Sequence, residues 1–486
     1  MDTQQKTVLV DALRKHLNNR VVRFDVPGHK GGRGNKEFRD FIGEEAMKMD
    51  VNSMKPLDNL CHPTSVIREA QDIAAKAFGA KEAYFMVSGT TGSVQAMIMS
   101  TCKAGDKLIM PRNVHRSAIN ALVICGATPV YINPGLNKKL GISLGMSVSD
   151  VKKAIKENPD AKAILVNNPT YYGICSDLKS IVKLAHENNM LVLVDEAHGA
   201  HFYFGDNMPI SAMAAGADMA AISMHKTGGS LTQSSILLSG ERINADYVRQ
   251  IINLTQTTSS SYLLLTSLDA ARKNLSINGK ALFKKTIDFA EYARTEINKL
   301  GGFYAYGREL IDNDMVCDFD STKLSVFTKD IGLAGIEVYD ILRDEYNIQI
   351  EFGDLGNILA MISAGDRGLE IERLITSLAE IKRLYSKDPA GMFDHEYIDP
   401  IVVMPPQKAF FSNKQYIPII ESAGKISGEF VMAYPPGIPI LAPGEKITEE
   451  IISYIMYAKE KGCLLTGTED MKVEFINVID DNPNSI

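Results

Sequence analysis

Long apolar runs, blocks of like charge and paired cysteines are all missing from this 486-residue chain. No stretch of 18 apolar residues occurs, and the polar start from Met1 to Val10 has no basic segment leading into an apolar one. Neither a membrane span nor an export signal is therefore expected, and a cytoplasmic location is. The net charge of −7 comes with no run of five like charges. The basic stripe of a nucleic-acid binder is absent, which leaves small solutes as the expected partners. Six cysteines (Cys61, Cys102, Cys125, Cys175, Cys317 and Cys463) are scattered without a C-x-x-C pair or a Cys–His cluster at zinc spacing. That argues against a metal and for reduced thiols. A phosphate-cradling G-x-x-x-x-G-K-[ST] is also lacking, since Gly279-Lys280 and Gly424-Lys425 run on into Ala and Ile. Without it, Val194-Asp195-Glu196-Ala197-His198 is not the acidic box of an ATPase.

What is present is an ordinary globular composition, 45% apolar and 23% charged. Between Lys81 and Ser239 short apolar runs alternate with helical patterns. The runs are 83–87, 107–110, 128–132, 163–166, 191–195, 219–223 and 235–238, and the helices include 92–102 and 177–188. Nearly continuous apolar strands alternating with helices predict an α/β fold with a mainly parallel sheet covered on both faces. Ligands of such sheets sit at the carboxyl ends of the strands. Four consecutive parts are expected: an N-terminal arm (1–63), a large domain closed by a long connecting helix (64–300), a small α+β domain (301–385) and a C-terminal region (386–486). The small domain is read with strands at 323–327, 348–351 and 357–362.

Three motifs fall where strands stop. Asp195 ends an apolar strand, where a carboxylate either caps the next turn or holds a cationic ring nitrogen in its protonated state. Thirty-one residues on, Ser223-Met224-His225-Lys226-Thr227-Gly228-Gly229 puts a lysine among hydroxyls, an imidazole and glycines. This lysine is either a solvated edge residue or a Schiff-base amine beside a phosphate. Ser88-Gly89-Thr90-Thr91-Gly92-Ser93 follows a strand and opens a helix, which makes it either a hydroxyl-rich turn or a phosphate cradle. A fourth run, Arg112-Asn113-Val114-His115-Arg116-Ser117, offers an imidazole that either caps a helix or lies flat on an aromatic ring.

These runs, with Pro27-Gly28-His29-Lys30-Gly31-Gly32, Gln256-Thr257-Thr258-Ser259-Ser260 and Tyr434-Pro435-Pro436-Gly437-Ile438-Pro439 through Pro443-Gly444-Glu445, resemble the Orn/Lys/Arg decarboxylases along nearly the whole chain. The resemblance implies a fold-type I, aspartate aminotransferase-like scaffold and pyridoxal 5'-phosphate (PLP) as cofactor. It implies that Lys226 holds the cofactor as a Schiff base, that Asp195 holds its ring nitrogen and that His115 stacks on the ring. Thr90, Thr91, Ser223 and His225 would bind the phosphate, together with Ser88 and Gly89 of the same turn, and Thr258 would reach it from a neighbouring subunit. Ala197 and His198 complete the cofactor set, with His198 standing where the large members carry tryptophan. Those large members also have an N-terminal wing domain; this chain starts almost directly at the arm, so a homodimer or higher oligomer without a wing is expected.

The implied reaction removes the α-carboxylate of a basic amino acid as carbon dioxide and leaves a polyamine-type amine, with His198, His225 or Lys226 returning a proton to Cα. Arginine is the first choice of substrate, with lysine and ornithine close to it. Glu351, with Asp354 behind it, is the candidate for the substrate's distal cation, against the plainer reading of each as a surface carboxylate. Transamination or lyase chemistry on the same scaffold is the alternative, and a cofactor-free scaffold protein is a remote third.

Overall fold

The computed structural model describes residues 3–389, 400–433 and 437–480. The chain divides into two units, each assembled from two stretches: Met1–Ser100 with Val192–Phe283, and Thr101–Leu191 with Lys284–Ile486. The four consecutive parts expected above follow chain order, whereas these units do not, because the chain leaves the first unit after its first strand and the helix that follows it and returns at Val192.

The first unit carries four strands in the order Glu82–Met86, Ser235–Ser239, Met219–Ile222, Leu191–Glu196. The last two are parallel, with Leu193 opposite Met219 and Glu196 opposite Ile222, so their carboxyl ends share one edge. Ser235–Ser239 is antiparallel to both of its neighbours. Its connection from the preceding strand holds only the one-turn helix Met224–Thr227, too little for the crossover that a parallel return requires. Helix Val66–Ala77 buries Ile67, Ala70, Ile73 and Ala74. The N–H groups of Thr64, Ser65 and Ile67 at its start donate to the Asp58 carboxylate.

The second unit holds the parallel strands Ala163–Asn167, Lys107–Pro111 and Thr128–Ile132 in that order. The helix Leu178–Glu187 that follows them buries Leu178, Ile181, Val182 and Ala185 and is capped by Asp177, which accepts from the Ser180 N–H. A separate antiparallel sheet runs Tyr304–Tyr306, Lys323–Phe327, Asn357–Met361, Phe352–Gly353. Helices Gly335–Asp344 and Gly368–Tyr385 flank it around Leu324, Val326, Val338, Leu342, Leu378 and Ile381. Residues 348–351 form no strand, contrary to expectation. Burial does alternate there, Ile350 in and Gln349 and Glu351 out, but Phe352–Gly353 is the pair that enters the ladder, so Glu351 precedes that strand. The C-terminal region has its own core, including Ile419, Val431, Leu441, Ile455 and Val478. The Tyr434-Pro435-Pro436 part of the proline-rich run lies outside the described residues.

Candidate active site

In the first unit the expected residues converge on the shared strand edge. Asp195 is buried, and its Oδ1 accepts one hydrogen bond, from the Ala197 N–H at 3.2 Å. Burial pushes its carboxyl above the usual range, against that N–H and the nearby Lys226 charge, which both favour the anion. A buried carboxylate so thinly served is stabilised by a cationic N–H partner.

Lys226 sits on the one-turn helix after Met219–Ile222, with its Nζ 2.7 Å from Nε2 of the buried His198. At that distance the two nitrogens share one proton, so an amine and an imidazole are coupled as donor and acceptor. Beside them, His225 Nδ1 lies 3.2 Å from the Ser234 carbonyl oxygen and 3.1 Å from Ser223 Oγ. A carbonyl only accepts, so Nδ1 carries the proton.

The turn 88–93 enters the helix three residues earlier than its pattern predicts, so that Gly89, Thr90 and Thr91 form the first turn of helix Gly89–Met99. Gly89 has a φ of +70° and donates its N–H to the Gln233 carbonyl. Gly92 is required by space, because a Cβ there would lie 2.1 Å from Ser88 Oγ. Thr90 Oγ1 donates to Ser235 Oγ at 3.1 Å, Thr91 is exposed, and the buried Ser88 Oγ has no hydrogen-bond partner among the described residues. Orphan N–H groups at a helix start beside a hydroxyl with unused capacity suit an anion. Thr258 is exposed on the segment that follows Gln256, whose side-chain oxygen accepts from the Val87 N–H.

The other expected residues belong to the second unit. His115 caps helix Arg116–Cys125, its Nδ1 accepting from the Ser117 N–H at 3.2 Å, which leaves the ring proton on Nε2 and fixes the ring. Glu351 is exposed and lines a cavity of about 440 Å³ with Ile348, Ile350, Asp366, Glu370 and Arg373. Asp354 is buried and committed: it accepts from the Tyr172 hydroxyl and from the N–H groups of Gly356 and Asn357, and so shapes a loop.

Two features were not singled out by the sequence reading. Arg112 makes a buried bidentate pair with Glu445, at 2.8 Å to each oxygen, which ties together two of the motifs that carried the resemblance. Glu196 is fully buried, accepting from the Tyr203 hydroxyl and the Ala212 N–H, and burial pushes its carboxyl up to about 8. Its only sequence signal is an acidic residue directly after the strand-end aspartate.

The strand order, with a lysine and an aspartate at the carboxyl edge, defines an α/β protein of the fold-type I class. The Orn/Lys/Arg decarboxylase major domain matches residues 7–369, and the C-terminal domain of that family matches residues 389–470. The chain is 46% identical to an arginine decarboxylase of Bacillus subtilis (strain 168), over 98% of both chains. It is 24% identical to the inducible lysine decarboxylase of Escherichia coli (strain K12), over 95% of this chain and 78% of that one. The crystal structure of a Francisella novicida lysine decarboxylase superposes with a TM-score of 0.85 at 23% identity, covering 98% of this chain and 82% of that one. The chain belongs to the Orn/Lys/Arg decarboxylase family.

Proposed function

We propose that this protein is a PLP-dependent arginine decarboxylase that releases carbon dioxide and the corresponding amine. The observation that carries the reading is near-complete alignment at 46% identity to a protein named arginine decarboxylase. The residues fit the cofactor at both of its charged ends. Asp195 is a buried, under-served carboxylate suited to a ring N–H⁺, and Ser88 Oγ is an unpartnered buried hydroxyl at a helix start suited to a phosphate. When bound, PLP supplies an electron sink for the pair left by the departing carboxylate.

Lys226 is the amine that attaches the cofactor, and His198, 2.7 Å from it, takes and returns the proton this amine must lose and regain. His198 is also our choice for the group that delivers a proton to Cα once the carboxylate has left. The Ala197 N–H orients the Asp195 carboxylate and favours its anion against burial. Ser223, His225, Gly89, Thr90 and Thr91 would hold the phosphate, and His115, its ring fixed by the cap, would stack on the cofactor. Glu351 receives the distal guanidinium.

The working form is a homodimer or a higher assembly of such dimers, with Thr258 completing the neighbouring subunit's site. Val22, Phe24, Val26 and Phe41 of the arm expose apolar surface that such an assembly would cover. A cytoplasmic location belongs to the same proposal. No disulfide joins the cysteines among the described residues, and no helix among those residues is long and apolar enough to cross a membrane. Carbon dioxide release from arginine, lysine and ornithine, measured with PLP present, tests the assignment. Arginine is expected to give the highest kcat/KM, and release from none of the three would overturn it.

A further inference from the structure

We propose that Glu196, which faces neither cofactor nor substrate in the scheme above, is the positioning residue of the Lys226–His198 pair. This rests on the reading of Lys226 as the cofactor-bearing amine. The chain passes from Glu196 through His198 and the short helix Ala200–Tyr203 to Ala212, and the Glu196 carboxyl grips that segment twice. One oxygen accepts from the Tyr203 hydroxyl and the other from the Ala212 N–H at 2.8 Å. The turn between is closed by the Gly199 N–H on the Glu196 carbonyl at 2.9 Å and the Phe202 N–H on the Gly199 carbonyl at 2.9 Å. Gly199 is needed here, because a Cβ at that position would lie 2.7 Å from Glu196 Cγ and 3.1 Å from the Phe202 ring.

His198 thus lies between Glu196 and the two points, Tyr203 and Ala212, that the Glu196 side chain holds. That hold aims Nε2 at Lys226 Nζ. The groups that bear on Glu196 are Tyr203, the Ala212 N–H and the charge of Asp195, and the groups that bear on Lys226 include His198 and Asp195. Burial pushes the Glu196 carboxyl up to about 8, towards its neutral form, and an amide is the closest neutral replacement: it keeps one acceptor for Ala212 and meets the Tyr203 oxygen with an N–H.

The test is the pH dependence of acetylation of Lys226 by acetic anhydride, read by peptide mass spectrometry on the full-length chain freed of PLP. Wild type, Glu196→Gln, Glu196→Ala and Tyr203→Phe are compared, with melting temperature recorded for each. Without its fixed imidazole partner, Lys226 should label with a midpoint displaced by about one pH unit in Glu196→Ala. Tyr203→Phe should show a smaller displacement in the same direction, and Glu196→Gln should stay at the wild-type midpoint. A role confined to stability would lower the melting temperature and leave the midpoint alone. An unmoved midpoint in folded Glu196→Ala, or a displaced one in Glu196→Gln, overturns the proposal; should Glu196→Ala not fold, an unmoved Tyr203→Phe midpoint does so. Because labelling is read without cofactor, failure of wild type to bind PLP would overturn the proposed function and leave this result standing.

Discussion

Each unit holds two neighbouring acidic residues, and in each the pair is divided in the same way. In the first unit Glu196 is saturated by Tyr203 and Ala212 while Asp195 has one N–H. In the second, Asp354 is saturated by Tyr172, Gly356 and Asn357, while no hydrogen bond or ion pair among the described residues reaches the Glu351 carboxylate. A buried carboxylate whose oxygens are filled by internal donors is part of the framework. One left short of partners is available to a ligand. Neighbouring acids alike in sequence thus differ by how many donors the fold brings to them.

The largest effect should come from the under-served acid of the first unit. Asp195→Asn keeps size and removes charge, and is expected to cost about 3–5 kcal/mol in kcat/KM with little change in melting temperature. Activity within threefold of wild type would place Asp195 with the framework acids. Asp354→Ala should do the reverse. It strands two N–H groups and a hydroxyl, so about 2–4 kcal/mol of folding stability should go, measured by urea unfolding, with the assay run on whatever folds.

Glu351→Gln is a smaller change and one of specificity. It should raise KM for arginine by roughly 10- to 100-fold and leave KM for an uncharged analogue of equal length nearly unchanged. Equal changes for both would return Glu351 to the status of a surface carboxylate.

The smallest expected effect is a pH dependence of stability. Burial holds folded Glu196 at about 8 against an ordinary value of 4.5. The unfolded chain therefore releases that proton first, and Glu196 contributes stability at low pH that is lost as pH rises through this window. The melting temperature of Glu196→Gln relative to wild type should climb from about pH 4.5 to about pH 8 and then level off. A constant difference would mean that Glu196 is ionised when folded.

The sequence carried the strands well. Thr128–Ile132 and Lys323–Phe327 appear with the predicted ends, and the other strands expected between Lys81 and Ser239 lie within a residue of them, because continuous apolar runs bounded by polar residues leave little choice of register. The failure at 348–351 has the same origin. Periodicity reports burial, which does alternate there, and carries no information about a ladder partner. The start of helix Gly89–Met99 was placed late because Gly89, Thr90 and Thr91 are poor helix formers; three-dimensional context overrides that preference.

Of the candidate site, residue types at strand ends were legible, and pairings were not. Arg112 and Glu445 are 333 residues apart, and Tyr172 and Asp354 are 182 apart. Which of two nearby carboxylates is spent internally depends on such distant donors: the sequence offered Asp354 both as a ligand group and as a surface carboxylate, and Tyr172 occupies it.

The central claim, that Lys226 is the covalent anchor of PLP in a decarboxylase, is tested most directly by reducing the PLP-loaded protein with borohydride and mapping the modified peptide by mass spectrometry. A single phosphopyridoxyl group on Lys226, lost in Lys226→Ala together with carbon dioxide release, is the expected result. A group fixed on another lysine, or one retained in Lys226→Ala, would contradict it.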